Sequence, residues 1–317
     1  MSISLYSKKS SRKSIIKEKV IKYFFALNGF VVVLFLMLIF LFLIKVGYRA
    51  FEQIDPVGLV YNVETDQNGV SQKVFEWYPT SDDPEYSLIP LILGSLMTAI
   101  PATLLSTLLG IAVGIYLSEI QTGRLREILK PFIELFAGIP TVVVGFFMLI
   151  VGATLFQDVF HTVNRLNAFI ASIGLSFIII PVIASLTEDA LRSIPNEIRM
   201  ASYSLGATKW QTIKNVLLPS AVSGLSAGII LGFGRAIGET MIVLMASGNA
   251  AELTVDIFKS VRTMTATIAA EMGEVAHGSN HYYLLFVIGL VLFAITFILN
   301  LAAEVIFSKM KKKIKYK

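Results

Sequence analysis

The chain has 317 residues, 55% apolar and only 15% charged, with 27 lysines and arginines against 22 acids, where a soluble domain carries about 25% charged residues. Its mean hydropathy of +0.72 and pI near 9.2 exclude a soluble enzyme, a disordered tail and a collagen-like fibre. Zero cysteines exclude a disulfide scaffold, a thiolate metal site and a cysteine nucleophile.

Charge position turns the basic pI away from nucleic acid and toward a membrane. Seven Lys/Arg lie in residues 1–22 and six in 308–317, the pattern of cytoplasmic anchors. A bilayer core of about 30 Å takes roughly 20 apolar residues of helix. After the basic arm (1–22), residues 23–46 read as an uncleaved signal anchor: the apolar run is too long for a signal peptide and no small-residue cleavage site follows. Residues 47–88 carry eight acids and read as an extracytoplasmic loop with a turn at 66–69 and a strand over 70–77. The core, 89–307, holds further spans at 89–117, 132–156, 168–186, 217–247 and 282–307, followed by a basic tail, 308–317. The linkers at 122–130 and 191–216 bring 20 of the 27 Lys/Arg to one side. The expectation is an all-α polytopic protein of six transmembrane helices, both termini cytoplasmic, in contact with membrane lipid and not with nucleic acid.

The fifth span is the most informative. Gly224, Gly228 and Gly232 recur every four residues, a bare ridge that lets a second helix approach. Arg235 and Glu239 continue that face, so both charges are expected to point into protein. One reading makes them an i,i+4 pair that locks two helices. The other, favoured here, sets Arg235 in a polar pathway with Glu239 and Thr240, where its guanidinium fork suits a phosphate or carboxylate and Glu239 compensates it when no anion is bound.

The stretch 195–219 is the second signal. Pro195 can open a helix and Gly206 close it, and Thr208 with Gln211 forms a capping box for a second. Met200, Ala201, Ser202, Ser204, Leu205, Gly206 and Ala207 supply an apolar-to-small face suited to a groove. Four basic residues diluted by acids and pinned between spans do not make a DNA reader. This segment, with Leu218-Pro219, resembles the cytoplasmic "EAA" loop of ABC importer permeases, with Met200 at the pattern's Glu and Ser202 at its second Ala. The stretches 132–141 (Phe-Ile-Glu-Leu-Phe-Ala-Gly-Ile-Pro-Thr), 234–241 (Gly-Arg-Ala-Ile-Gly-Glu-Thr-Met) and 265–274 are similar to the C-type permease subunit of Pst phosphate importers. The resemblance covers about 91–304. It implies a type I importer permease fold, inward transport of phosphate, a second, A-type permease, two copies of a cytoplasmic ATPase that docks on 200–207, and an extracytoplasmic phosphate-binding protein.

No Gly-x-x-x-x-Gly-Lys-Ser/Thr loop occurs, so ATP is expected on partner subunits, with no cofactor, metal or catalytic residue in this chain. Glu271, Glu274, His277 and His281 are better read beside a re-entrant or interfacial helix facing the binding protein than as a metal site. Gly110 and Gly114 read as packing residues. Alternatives are a permease for sulfate or molybdate, an ion-coupled anion carrier, and a membrane sensor built around the 47–88 loop.

Overall fold

The computed structural model describes residues 12–52, 54–65, 71–121 and 123–315, and most of them are helical. Helix α1 (Arg12–Gly47) is apolar on every face, so nothing selects one side for burial. Its side chains are mostly exposed, and contact comes late, where Phe40 and Phe42 meet Phe293 and Phe286 and Gly47 backs onto Val287. From Arg12 onward the expected basic arm is therefore part of the helix; residues 1–11 lie outside the described residues.

Two 3₁₀ turns, Tyr48–Glu52 and Pro56–Leu59, lead into two small hairpins. Strand β1 (Asn62–Thr65) pairs antiparallel with β2 (Ser71–Val74), and β3 (Trp77–Tyr78) with β4 (Glu85–Tyr86). The single strand expected over 70–77 is thus broken at Phe75 and Glu76, and the turn at 66–69 lies outside the described residues.

The bundle begins with α2 (Ile89–Ile115), which ends in a π turn, Tyr116–Ile120. Next come α3 (Arg124–Ala137), α4 (Thr141–Phe147), and, after a π turn at Met148–Gly152, α5 (Ala153–Phe160). Helix α6 (Ala168–Arg192) is the axis of the molecule. The chain returns through α7 (Asn196–Ser204), α8 (Lys209–Thr212), a π turn at Ile213–Leu217 and α9 (Leu218–Ser220) to α10 (Val222–Gly238). Short α11 (Met241–Ala246) and α12 (Met264–Glu271) precede the final helix, α13 (Asn280–Lys315), which continues into the expected basic tail.

Among the described residues five helical segments are long and apolar enough to cross a bilayer: Lys17–Glu52, Ile89–Ile120, Thr141–Phe160, Ala168–Arg192 and Asn280–Ile306. A bent pair of arms, Lys209–Ser220 and Val222–Gly238, set at 70° to one another, makes a sixth if the two count as one span. The all-helical membrane architecture stands at five to six spans, with two boundaries corrected. The third span starts at Thr141, not 132, because Gly138 caps α3 and Pro140 disfavours a helical residue before it; the apolar residues 132–137 belong to α3. The fifth ends at Gly238, not 247, and bends near Pro219, which has no N–H to give the ladder.

Packing around α6 follows from small residues. A Cβ on Gly110 or Gly114 of α2 would lie 2.8 Å from the Ile183 Cβ or 2.5 Å from the Thr187 Cβ. On the other flank, Gly224, Gly228 and Gly232 of α10 face Ala190, Leu186 and Ile179, at 2.3, 3.3 and 2.8 Å for the same construction. The first turn of α6 is satisfied by the Asn167 side chain, which accepts from the Ile170 N–H, and by the carbonyls of Lys259 and Ile257, which accept from Ala168 and Phe169.

Gly224→Ala should therefore cost about 1–3 kcal/mol by overpacking, whereas Gly234→Ala, whose Cβ would meet only Asn300 at 3.9 Å, should leave stability unchanged or slightly higher. Thermal unfolding of the detergent-solubilised variants separates them; equal melting of the two would remove the glycine ridge as a determinant of packing.

Candidate functional site

A cavity of about 920 Å³ lies between α10 and α13. Ser223, Ser226 and Arg235 of α10 face Asn300, Glu304 and Ser308 of α13 across it. Here the structure corrects the expected shared face: the glycine ridge presses on α6 while Arg235 opens into this groove. Arg235 is half-buried, sits in the last turn of α10 rather than mid-span, and makes no hydrogen bond or ion pair among the described residues.

Arg235 and Glu239 are not paired, because the helix that would have placed them four residues apart has already ended. Glu239 is extended, at φ −71° and ψ 136°. Its carboxylate turns forward and accepts from the Met241 N–H at 3.1 Å, at the start of α11. Its carbonyl accepts from the Thr265 hydroxyl at 2.7 Å. Thr240 lies half-buried at the same break. The break is fastened from the far side, since the Met264 N–H donates to Ser95 of α2 and Gly94 makes room for the Arg262 carbonyl, 2.2 Å from where a Cβ would be.

The 195–219 segment forms the helix–turn–helix its sequence suggests. Pro195 precedes α7, Gly206 follows it at φ +80°, and the Thr208–Gln211 capping box forms at α8 with both bonds present. Met200, Ala201, Ser204, Leu205 and Gly206 are exposed, as are Tyr203 and Trp210, and Ala207 is half-buried. Ser202 is the exception: it is buried and shares a 2.8 Å hydrogen bond with Thr212, so it joins α7 to α8 from beneath instead of lying on the outer face.

Three charge clusters, one centred on a buried acid and two half-buried, have partners that the sequence reading did not pair. Arg199 of α7 pairs with Glu119 of the α2 π turn at 2.7 Å and donates to the carbonyls of Leu191 and Ile194 at the end of α6. Glu188 of α6 is fully buried and pairs with Arg126, with Lys130 at 3.2 Å and with Arg192 at 3.4 Å. Burial works against the Lys130 charge, yet Glu188 and Asp189 outweigh it and hold the ammonium above the ordinary lysine range. At the opposite end Glu271 accepts from Trp77 Nε1 at 3.1 Å and pairs with Arg262 and His281, each at 2.8 Å. Trp77 is fully buried and joins the hairpin loop to the bundle. Glu271 and His281 are thus committed to this contact, and among the described residues no acid–histidine group has the arrangement of a metal site. The signal for Glu188 lay in its sequence position, just beyond the end assigned to the fourth span and opposite the basic 122–130 linker.

A bundle of membrane-spanning helices, with a cavity between α10 and α13 and a short helical loop bonded to the ends of α2 and α6, is an architecture suited to a transport permease. The family model for the inner-membrane component of binding-protein-dependent transport systems matches residues 107–312, and this chain belongs to that family of ABC importer permeases. It is 38% identical over 248 residues to the probable ABC transporter permease protein YqgH of Bacillus subtilis, covering 77% of this chain and 80% of the relative. It is 33% identical over 242 residues to the phosphate transport system permease protein PstC of Mesorhizobium japonicum, covering 70% and 73%. Two solved structures share the fold: a chain of the alginate ABC transporter in complex with an alginate pentasaccharide-bound periplasmic protein (TM-score 0.61, 16% identity, 93% and 98% covered), and one of the inward-facing MetNI methionine ABC transporter (0.57, 19%, 70% and 95%). The chain is thus a multi-pass inner-membrane permease subunit, not itself catalytic and binding no cofactor; permeases of this family assemble with ATPase subunits and a binding protein. Membership also sets aside the ion-coupled carrier and the membrane sensor.

Removing Arg199 would strand the nearly buried Glu119 carboxylate. Arg199→Ala should cost about 3–5 kcal/mol, while Arg199→Met with Glu119→Leu should recover most of it. Thermal unfolding and yield of the solubilised chain report both, and a single mutant as stable as the parent would dismiss this clamp.

Proposed function

We propose that this permease imports inorganic phosphate as the C-type half of a Pst-type transporter. A second, A-type permease would complete the pathway, two copies of a cytoplasmic ATPase would drive it, and an extracytoplasmic phosphate-binding protein would deliver the anion. Support comes from the PstC relative, 33% identical over most of its length, and from one observation in the groove: Arg235 is a cation without a partner among the described residues. A half-buried charge among apolar helices is disfavoured, and a tetrahedral oxyanion both offsets that cost and matches the guanidinium fork. Glu239 holds the helix break open beside Arg235, and Thr240 adds a hydroxyl there. Sulfate and molybdate satisfy the same fork and are the competitors to test.

The basic ends and linkers favour cytoplasmic termini, which puts the 47–88 loop outside and the 195–219 loop inside. Met200, Ala201, Ser204, Leu205, Gly206 and Ala207 then form the ATPase contact, with Ser202 bracing it from below.

Proteoliposomes holding this chain, its partner permease, the ATPase and the binding protein should take up labelled phosphate in preference to sulfate and molybdate. Because Arg235 has no ion-pair partner to abandon, Arg235→Ala should assemble normally and lose uptake more than tenfold, about 1.4 kcal/mol or more; Arg235→Lys should stay poor for want of the bidentate fork. Parent-rate phosphate uptake by Arg235→Ala would sink the pathway assignment, and preference for another oxyanion would sink the substrate.

Gly206→Glu tests the coupling face. A Cβ there meets nothing within 4 Å, so the damage comes from the φ of +80°, which a side chain adopts only with strain, and from a new charge at the contact. Insertion should persist while ATPase copurification and transport fall. Normal coupling in Gly206→Glu would remove this loop from energy transfer.

A further inference from the structure

Helix α3 takes no part in the groove or the 195–219 loop, yet it is the most sharply divided helix of the bundle. Its side chains fall on three edges, as 3.6 residues per turn dictates. One edge carries Arg126 and Lys130, which reach Glu188 and Asp189 of α6. A second carries Leu125, Ile128, Phe132, Leu135 and Phe136, all exposed. The third carries Arg124, Glu127 and Glu134, also exposed.

We propose that α3 lies in the lipid headgroup layer at the end of the bundle where α6 finishes, its apolar edge in the acyl boundary and its Glu127–Glu134 edge in water. Three observations place lipid there. The span before α3 ends at Ile120 and the next begins at Thr141, so both ends of α3 emerge at one membrane surface. Its ion pairs are made to the last turn of the α6 span, the depth at which a chain leaves the hydrocarbon. The apolar edge then runs on past the Gly138–Pro140 joint into exposed Val142, Val143 and Phe146 of the next span, one continuous greasy face. A helix with apolar, polar and protein-facing edges is stable where oil, water and protein meet. Clamped by two cations to the buried Glu188, α3 would fix the height of α6 in the bilayer, so that displacement of the α6 end is resisted by lipid.

The chain has no cysteine, so single nitroxide labels report each edge without background. In the assembled transporter in lipid nanodiscs, labels introduced by Phe132→Cys, Ile128→Cys and Leu135→Cys should collide severalfold more often with oxygen than with a water-soluble nickel chelate, and Glu127→Cys and Glu134→Cys the reverse. Shielding of the 128, 132 and 135 labels from both reagents would show a protein partner on this edge, and nickel accessibility equal to that at 127 would show water; either overturns the proposal. Three positions sample the edge, so a variant that fails to assemble leaves the pattern readable from the others.

Discussion

A Cβ at Gly224 would come within 2.3 Å of that of Ala190, and one at Gly114 within 2.5 Å of that of Thr187. Helix α6 is therefore held on two flanks by backbones that any larger side chain would push away. In a bilayer no hydrophobic force drives one apolar helix onto another, and close van der Waals packing replaces it. The other spans take their places from this contact. With its glycines turned to α6, α10 presents Ser223, Ser226 and Arg235 elsewhere, and that surface meets α13 across a cavity rather than a seam. The groove is a consequence of where the glycines are.

The ends of α6 are held as firmly as its middle, by polar means. At one end the Lys259 and Ile257 carbonyls and the Asn167 side chain take its first N–H groups; at the other, Arg199 takes the Leu191 carbonyl, and that of Ile194 just beyond the helix, while pairing with Glu119. Because Arg199 belongs to α7, and α7 is bonded to α8 through Ser202 and Thr212, the exposed loop is not a free appendage. It is tied to the termini of α2 and α6 and, through the bend near Pro219, is continuous with the helix that carries Arg235. The proposed coupling role needs that kind of rigid linkage, and small displacements in packed helices are passed on rather than absorbed.

The existence of the spans was legible in the sequence, since about 20 apolar residues in a row admit few other structures. The caps of the 195–219 loop were legible because Thr208, Gln211 and Gly206 act locally. Boundaries were less so: a run of apolar residues records greasiness and not direction, so Phe132 to Ala137 merged with the span beyond Pro140. The i,i+4 pairing of Arg235 with Glu239 failed for a related reason, as it assumed a helix that Gly238 ends. The contacts of Glu119 with Arg199, Glu188 with Arg126 and Glu271 with Trp77 were not legible because the partners lie 80, 62 and 194 residues apart in the chain, and no local pattern encodes such distances.

The charges that remain show how the chain divides its electrostatics. Glu119, Glu188 and Glu271 are each answered by arginine, lysine or histidine within this subunit. Breaking such a pair would leave an uncompensated buried charge, which makes these clusters parts of the framework. Arg235 is treated differently: Glu239, the acid nearest in sequence, spends its carboxylate on the Met241 N–H, and Glu304 stands further along the groove. The Arg235 side chain instead lines the cavity between α10 and α13. In a subunit that neutralises these clusters internally, a guanidinium left open toward a cavity is the feature on which the proposed anion pathway rests.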